Sequence, residues 1–168
     1  GAILMLVMDA RYSKALELNG FIQGDLGQYN SYLNKGGAFV RDIIVLTDEA
    51  EIATAQENLK NADEMVDYYY GLFVDKLETA DERELTNLID EKYPQYMAIR
   101  DQAIELGLQN KNEEALEMFR KQAIPLLQEV MGAADELIAM NVKMGDEMSV
   151  SLSRFSILMI VIVVVVIA

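Results

Sequence analysis

The composition of this 168-residue chain is acidic, and it lacks two residues on which much enzyme chemistry depends. Fourteen Lys and Arg residues stand against 28 Asp and Glu residues, and the formal net charge of −14 disfavours binding to nucleic acid or to anionic lipid headgroups. The absence of His and Cys excludes disulfide bonds, zinc sites of the usual kind and catalysis by Ser–His or Cys–His pairs. We therefore expect a protein that is not an enzyme, needs no metal or other cofactor, and does not bind nucleic acid.

Both ends of the chain are apolar. Residues 1–8 (GAILMLVM) and 156–168 (SILMIVIVVVVIA) carry no charged side chain. A transmembrane helix needs about 20 apolar residues, so we interpret residues 1–8 as the end of one such helix and residues 155–168 as the start of a second. A signal peptide at the front and a core helix at the back are the alternatives. Because short cytoplasmic segments favour Lys and Arg, the acidic segment 9–154 is expected on the extracytoplasmic side of the cell membrane.

Between these ends, apolar residues recur every three or four positions, which is the period of an α-helix. The four stretches with this period run from Tyr12 to Ile43, from Ile52 to Phe73, from Leu85 to Leu106 and from Leu116 to Met144. Helix-start sequences separate them at residues 47–51, 79–82 and 110–114. Four helices with short connections predict an all-α fold: an antiparallel up-down-up-down four-helix bundle whose first and fourth helices continue into transmembrane helices.

Two segments carry a resemblance to a known family. They are FVRDIIVLTDEAEI (residues 39–52), where the first helix ends, and NEEALEMFRKQAIPLLQEV (residues 112–130), where the fourth begins. Here, and along its whole length, the chain resembles the four-helix-bundle extracytoplasmic sensor (ligand-binding) domain of bacterial methyl-accepting chemotaxis proteins. The resemblance implies a membrane-spanning homodimer that binds a small molecule and passes a helix displacement to a downstream HAMP linker and cytoplasmic signalling domain. The sensor domain of a histidine kinase or cyclase, or a pocketless helical tether or adaptor, is the alternative.

Three arginines lie near the end of the predicted bundle that is distal to the membrane. These are Arg41, Arg100 and Arg120, and a rise of about 1.5 Å per residue places them within about 6 Å in height. A guanidinium group can hold a carboxylate through two parallel hydrogen bonds, so these residues are candidate anion clamps. The heptad positions place Arg100 and Arg120 beside the seams of their own helices and Arg41 towards a partner subunit. Ordinary surface ion pairs with nearby acidic residues are the alternative.

Backbone defects mark a common level of the predicted bundle. Pro94 and Pro125 each remove one backbone hydrogen bond from a helix, and the pair Gly36-Gly37 weakens the first helix. These defects predict either a pocket or room for bulky neighbours. Further down the first helix, Gly20 and Gly24 would allow the close approach of a second subunit.

Two tyrosines on the inward seams lie near this level. The hydroxyl groups of Tyr32 and Tyr96 either line a ligand pocket or form ordinary polar pairs in the core. The predicted ligand-binding residues are Tyr32, Arg41, Tyr96, Arg100 and Arg120. A set made of arginine and tyrosine favours a small carboxylate, such as an amino acid or an organic acid.

Overall fold

The computed structural model describes residues 7, 10–14 and 17–167, with side chains described to residue 158 except those of residues 18 and 19. These residues form helices and short connections, and the described part of the chain contains no β-strand. The predicted all-α fold is therefore confirmed. The predicted first transmembrane segment, residues 1–8, lies outside the described residues except for Val7. None of the described helices combines the length and the hydrophobicity that a membrane span requires.

Four helices make up the bundle. In chain order they are α1 (Ile22–Val45), α2 (Glu49–Val74), α3 (Ala80–Leu108) and α4, which consists of Asn112–Met118, a π-helical turn Phe119–Ala123, and Ile124–Ile167. A second π-helical turn, Glu17–Phe21, precedes α1. The four predicted helices are thus present, and α4 continues into the apolar tail of the sequence.

Side chains near the predicted helix starts determine where α2 and α3 begin. The Asp48 side chain accepts hydrogen bonds from the backbone N–H groups of Ala50 and Glu51, both at 3.0 Å. Thr79 and Glu82 form a capping box, in which each side chain accepts from the backbone of the other residue. Such caps satisfy N–H groups that have no partner inside the helix. At the other end of α3, Asn110 adopts a φ of 61°, a left-handed conformation that Asn tolerates better than most residues.

Contacts between helices show that neighbours in the bundle run antiparallel. Asp25 pairs with Lys76, and Tyr32 stacks on Tyr69, so residue numbers fall on α2 as they rise on α1. The same reversed order holds for α1 with α4, α2 with α3, and α3 with α4. The backbones of α2 and α3 approach each other less closely than those of the other neighbouring pairs. Polar and aromatic side chains make contacts across this wider gap.

The core follows the predicted apolar spacing in α1, α2 and much of α4, but it differs in α3. Polar and charged side chains of α3 are buried at positions that an apolar pattern cannot reveal: Glu82 is 2% exposed, Thr86 6% and Arg100 5%. Each has a partner that offsets the cost of burial. Glu82, for example, accepts hydrogen bonds from the backbone and hydroxyl of Thr79 and from the side chain of buried Asn141.

Candidate functional site

A groove of about 760 Å³ runs between the C-terminal half of α1 and the first turns of α4. Arg41 lines it from α1 and Arg120 from α4, and both side chains are exposed. Its floor is formed by buried residues, Gly37, Phe119 and Leu127. We call this site the arginine groove. It brings together two of the five residues that the sequence predicted for ligand binding.

The π-helical turn of α4 forms one wall of the arginine groove. This turn contains Phe119 and Arg120, and Pro125 follows it by two residues. A proline in a helix cannot donate a backbone hydrogen bond, and its ring clashes with the carbonyl group four residues earlier, here that of Lys121. Widening the preceding turn relieves that clash, and such π-turns occur frequently at functional sites. The disturbance that the sequence predicted at Pro125 therefore lies within the groove.

The glycine pair of α1 allows the neighbouring helices to pack closely. A Cβ atom added to Gly37 would lie 3.5 Å from the Leu127 Cδ2 atom, and one added to Gly36 would lie 3.7 Å from the Leu59 Cδ1 atom. These are ordinary contact distances, so the two glycines leave little free space. Their small size lets α2 and α4 approach α1 while the groove above Gly37 stays open.

The charges around the arginine groove leave its two guanidinium groups available. Within the described part of the chain, neither Arg41 nor Arg120 forms an ion pair with a carboxylate. Glu117 at the rim pairs with Lys121 at 2.5 Å, and this hydrogen bond, together with the charges of Lys121 and Arg120, lowers the pKa of the Glu117 carboxyl. The surface ion pairs that were the alternative for Arg41 and Arg120 are thus not formed among the described residues. Glu113 also lines the groove.

Arg100 lies elsewhere, in the interface between α2 and α3. Its Nη1 donates to both carboxylate oxygens of Asp63, at 2.8 and 2.9 Å, and its Nε donates to Asp101 at 2.9 Å. Burial acts to lower the pKa of Arg100, but the hydrogen bonds to Asp63 and the charges of both carboxylates raise it overall. Burial raises the pKa of the Asp63 carboxyl, which Arg100 opposes only in part. Arg100 thus links two helices.

Tyr32 and Tyr96 are also separate from the arginine groove. Tyr32 stacks on Tyr69 of α2 with ring centroids 5.8 Å apart, and the Lys35 Nζ atom lies 4.3 Å from the Tyr32 ring centroid. Tyr96 is 2% exposed and stacks on Tyr93 at 6.1 Å. Burial raises the pKa of Tyr96 to about 12, although the charge of Arg100 opposes the shift. The five predicted residues therefore occupy three places in the bundle. Arg41 and Arg120 line the arginine groove, Arg100 and Tyr96 lie together on α3, and Tyr32 packs between α1 and α2.

Sequence reasoning missed the apolar floor of the groove. Phe119 belonged to the predicted seam of the fourth helix, and Leu127 lay one position off that seam, so neither stood out as a functional residue. Their closeness along the chain to Pro125 was the one available signal, because a proline disturbs the geometry of the helix around it.

A comparison with known protein families found a match that spans nearly the whole bundle. The family described as a four-helix-bundle sensory module for signal transduction matches residues 23–155. This chain belongs to that family. The predicted resemblance is thereby confirmed as far as a four-helix-bundle sensory module for signal transduction. A comparison with curated proteins found no match.

In this sensory module, polar contacts hold α4 against the helices beside it. The Asn30 side chain of α1 donates to Asp135 at 2.6 Å and to the Met131 carbonyl oxygen at 3.3 Å. Nearer the apolar tail, the Asn141 side chain donates to Glu82 at 3.4 Å. Because each contact requires particular partners, the two together favour one position of α4 along its neighbours.

Proposed function

We propose that this sensory module is the extracytoplasmic ligand-binding domain of a transmembrane chemoreceptor, and that it binds a small carboxylate in the arginine groove. The observation that carries the proposal is the presence of two exposed arginines, Arg41 and Arg120, on facing helices of one groove. Among the described residues neither forms an ion pair with an acidic side chain, although the chain carries a net charge of −14. Unpaired guanidinium groups in so acidic a protein are suited to hold an anion.

The lining of the groove suggests how such a ligand would lie. The carboxylate would accept hydrogen bonds from Arg41 and Arg120, and an apolar substituent would contact Phe119 and Leu127. Glu113 on the same groove would repel a second carboxylate and attract an ammonium group. An amino acid therefore fits this lining better than a dicarboxylic acid.

We further propose that the module acts as a homodimer paired along one face of α1 and of the π-helical turn that precedes it. Small or polar residues follow each other on this face at heptad spacing and end at the arginine groove: Gly20, Gly24, Gly27, Ser31, Asn34, Ala38 and Arg41. A Cβ atom added to any of the three glycines would meet no atom of the described chain within 4 Å. A partner helix could therefore approach closely there, and it would bring the second subunit beside Arg41.

Signal transmission would follow from the continuity of α4. This helix carries Arg120 near its start and runs on to Ile167. A ligand that binds one arrangement of α1 and α4 more tightly than another shifts the population towards it. In the proposed receptor, residues 1–8 and 155–168 belong to transmembrane helices, and a HAMP linker and a signalling domain follow. A histidine kinase or cyclase output would use the same module.

The test measures binding to the 168-residue chain in an uncharged detergent. We expect a member of a panel of amino acids and organic acids to raise the unfolding midpoint with increasing dose, because a ligand of the folded state stabilises it by mass action. Arg41→Ala and Arg120→Ala should each weaken the affinity for that ligand at least about tenfold, which corresponds to the loss of a charged hydrogen bond.

Arg83→Ala is the matched control, because Arg83 is an exposed arginine of α3 outside the arginine groove. It should retain the affinity of the unsubstituted chain. Equal affinity of all three variants for an identified ligand would disprove the placement in the groove. No response to any compound of the panel would favour the pocketless tether instead.

A further inference from the structure

A second cleft, of about 210 Å³, opens between α2 and α3 on the side of the bundle away from the arginine groove. We call it the tyrosine cleft, and its defining residues are Tyr29, Asp67, Tyr70, Asp90, Tyr93 and Pro94. Tyr29 of α1 forms the buried floor, whereas Asp67 and Asp90 are exposed at the rim. The volume is far larger than the ~10–15 Å³ that a single water needs, so a small organic molecule fits.

The hydroxyl group at the floor of the tyrosine cleft lacks a partner. Tyr29 is 1% exposed, and its oxygen forms no hydrogen bond within the described part of the chain. Burial raises the pKa of Tyr29, and Tyr93, Tyr70 and Asp90 raise it further. Tyr29 lines the cleft together with these three residues. Buried hydroxyl groups without a partner are uncommon, because they lose their hydrogen bonds to water without replacement.

The rim of the tyrosine cleft is negative. Within the described part of the chain, neither Asp67 nor Asp90 forms an ion pair with Lys or Arg. The Tyr70 hydroxyl donates to Asp90 Oδ1 at 2.5 Å. Pro94 has no N–H group to donate to the Asp90 carbonyl oxygen, which leaves a further acceptor next to the cleft. The cleft therefore offers hydrogen-bond acceptors and negative charge.

Its walls are aromatic. Tyr70 and Tyr93 lie on α2 and α3, and the rings of Tyr29 and Tyr70 have centroids 6.0 Å apart with an interplanar angle of 42°. The face of an aromatic ring attracts a cation within about 6 Å, and quaternary ammonium ions are recognised by such rings together with carboxylates. A metal ion such as Mg²⁺ or Ca²⁺ fits less well, since it needs six or more oxygen ligands. The described residues contain no group of three or more acidic side chains placed to hold one.

We propose that the tyrosine cleft binds a small organic ammonium ion and is a second ligand site of this module. The cation would lie between the rings of Tyr70 and Tyr93, with Asp67 and Asp90 compensating its charge. This site goes beyond the proposed carboxylate receptor, because it uses other residues, lies between other helices and selects the opposite charge.

The experiment is isothermal titration calorimetry of the 168-residue chain in an uncharged detergent, since zwitterionic detergents often carry an ammonium group themselves. The probes are choline, tetramethylammonium and ethanolamine, with 3,3-dimethylbutanol as the uncharged analogue of choline. We expect saturable binding of at least one ammonium ion and none of the alcohol. Asp67→Asn and Asp90→Asn should each weaken that binding about tenfold, because each removes one charge from the rim.

Glu57→Gln is the matched control, because it removes one negative charge from an exposed position of α2 outside the cleft. It should leave the affinity unchanged. The proposal is overturned if no ammonium ion gives a saturable signal, if the alcohol binds as tightly as choline, or if Glu57→Gln weakens binding as much as Asp67→Asn does. Arg120→Ala should not alter ammonium binding, and Asp67→Asn should not alter carboxylate binding, so the two proposals can fail separately.

Discussion

Arg100 and Asp63 connect α3 to α2 through two hydrogen bonds, of 2.8 and 2.9 Å, that share one guanidinium nitrogen. The Arg100 side chain is 6% exposed and that of Asp63 is 26% exposed, so water does little to screen the pair. Removing one member of a buried pair leaves the other charge without compensation. This contact links the two neighbouring helices whose backbones approach each other least closely.

We predict that Asp63→Ala lowers the free energy of unfolding by about 2–3 kcal/mol, somewhat less than for a fully buried pair, because Asp101 still accepts from Arg100. Urea unfolding measures the change. Glu64→Ala is the control, since Glu64 faces Lys60 across 3.9 Å with both side chains exposed. It should cost no more than about 0.5 kcal/mol, and equal losses in both variants would contradict the structural role of Asp63.

Gly107 has little room for a side chain. A Cβ atom there would lie 3.0 Å from the Ile44 Cα atom and 3.1 Å from its Cγ1 atom. Because backbone cannot move aside as a side chain can, we predict that Gly107→Ala destabilises the fold by about 1–3 kcal/mol despite the better helix propensity of Ala.

Gly71 is the control position for Gly107. It is an exposed glycine inside α2, and a Cβ atom added there would meet no described atom within 4 Å. Gly71→Ala should stabilise the protein by up to about 1 kcal/mol, because only the helix propensity changes. Thermal unfolding of both variants checks the signs. A stabilised Gly107→Ala variant would mean that α1 and α3 are farther apart than they are here.

The Tyr29 hydroxyl, buried without a partner, should lower the free energy of unfolding of the protein without ligand. We predict that Tyr29→Phe raises the free energy of unfolding by about 1–2 kcal/mol in the absence of ligand, since it removes only an unsatisfied polar atom. Tyr70→Phe should have the opposite effect, a loss of about 0.5–1.5 kcal/mol, because the Tyr70 hydroxyl donates to Asp90. Urea titrations of the two variants distinguish these cases, and a destabilised Tyr29→Phe would indicate a hydrogen bond at that oxygen.

Alkaline pH should destabilise the protein through its buried tyrosines. Burial raises the pKa of Tyr96 from 10.0 to about 12, against the charge of Arg100. Between pH 10 and pH 12 the unfolded chain therefore loses this proton while the folded chain keeps it, and the free energy of unfolding falls by up to about 1.4 kcal/mol per pH unit. Below pH 10 the group is protonated in both states and contributes no such slope.

Tyr96→Phe removes this titration, so its stability should decline less steeply above pH 10 than that of the unsubstituted chain. Urea unfolding at several pH values from neutral to pH 11.5 makes the comparison. Parallel declines in the two proteins would show that Tyr96 ionises equally readily in both states.

The sequence predicted the apolar core better than the polar one. The apolar series placed Leu26 and Val66 inside the bundle, and both are buried. It could not place Glu82 or Arg100 there, because charged residues are buried only where another helix supplies a partner. Those partners, Asn141 and Asp63, lie 59 and 37 residues away in the chain.

The residues of the candidate site could likewise be predicted from the sequence only in part. The three arginines had similar heights in the sequence, and their heptad positions grouped Arg120 with Arg100 rather than with Arg41. Their availability depends on which acidic residue lies within reach after folding. Arg100 meets Asp63 across the gap between α2 and α3, whereas Arg41 and Arg120 face each other's helix across a groove.

By itself, the sequence determined that this protein has four helices, where α2 and α3 begin, and that both of its ends are apolar. These features depend on local chemistry: the spacing of apolar residues, the caps at Asp48 and Thr79, and the charge of each segment. The tertiary structure alone decided which polar side chains are paired and which are not. That outcome rests on distances of a few ångströms between residues far apart in the chain, and a periodic pattern contains no information about them.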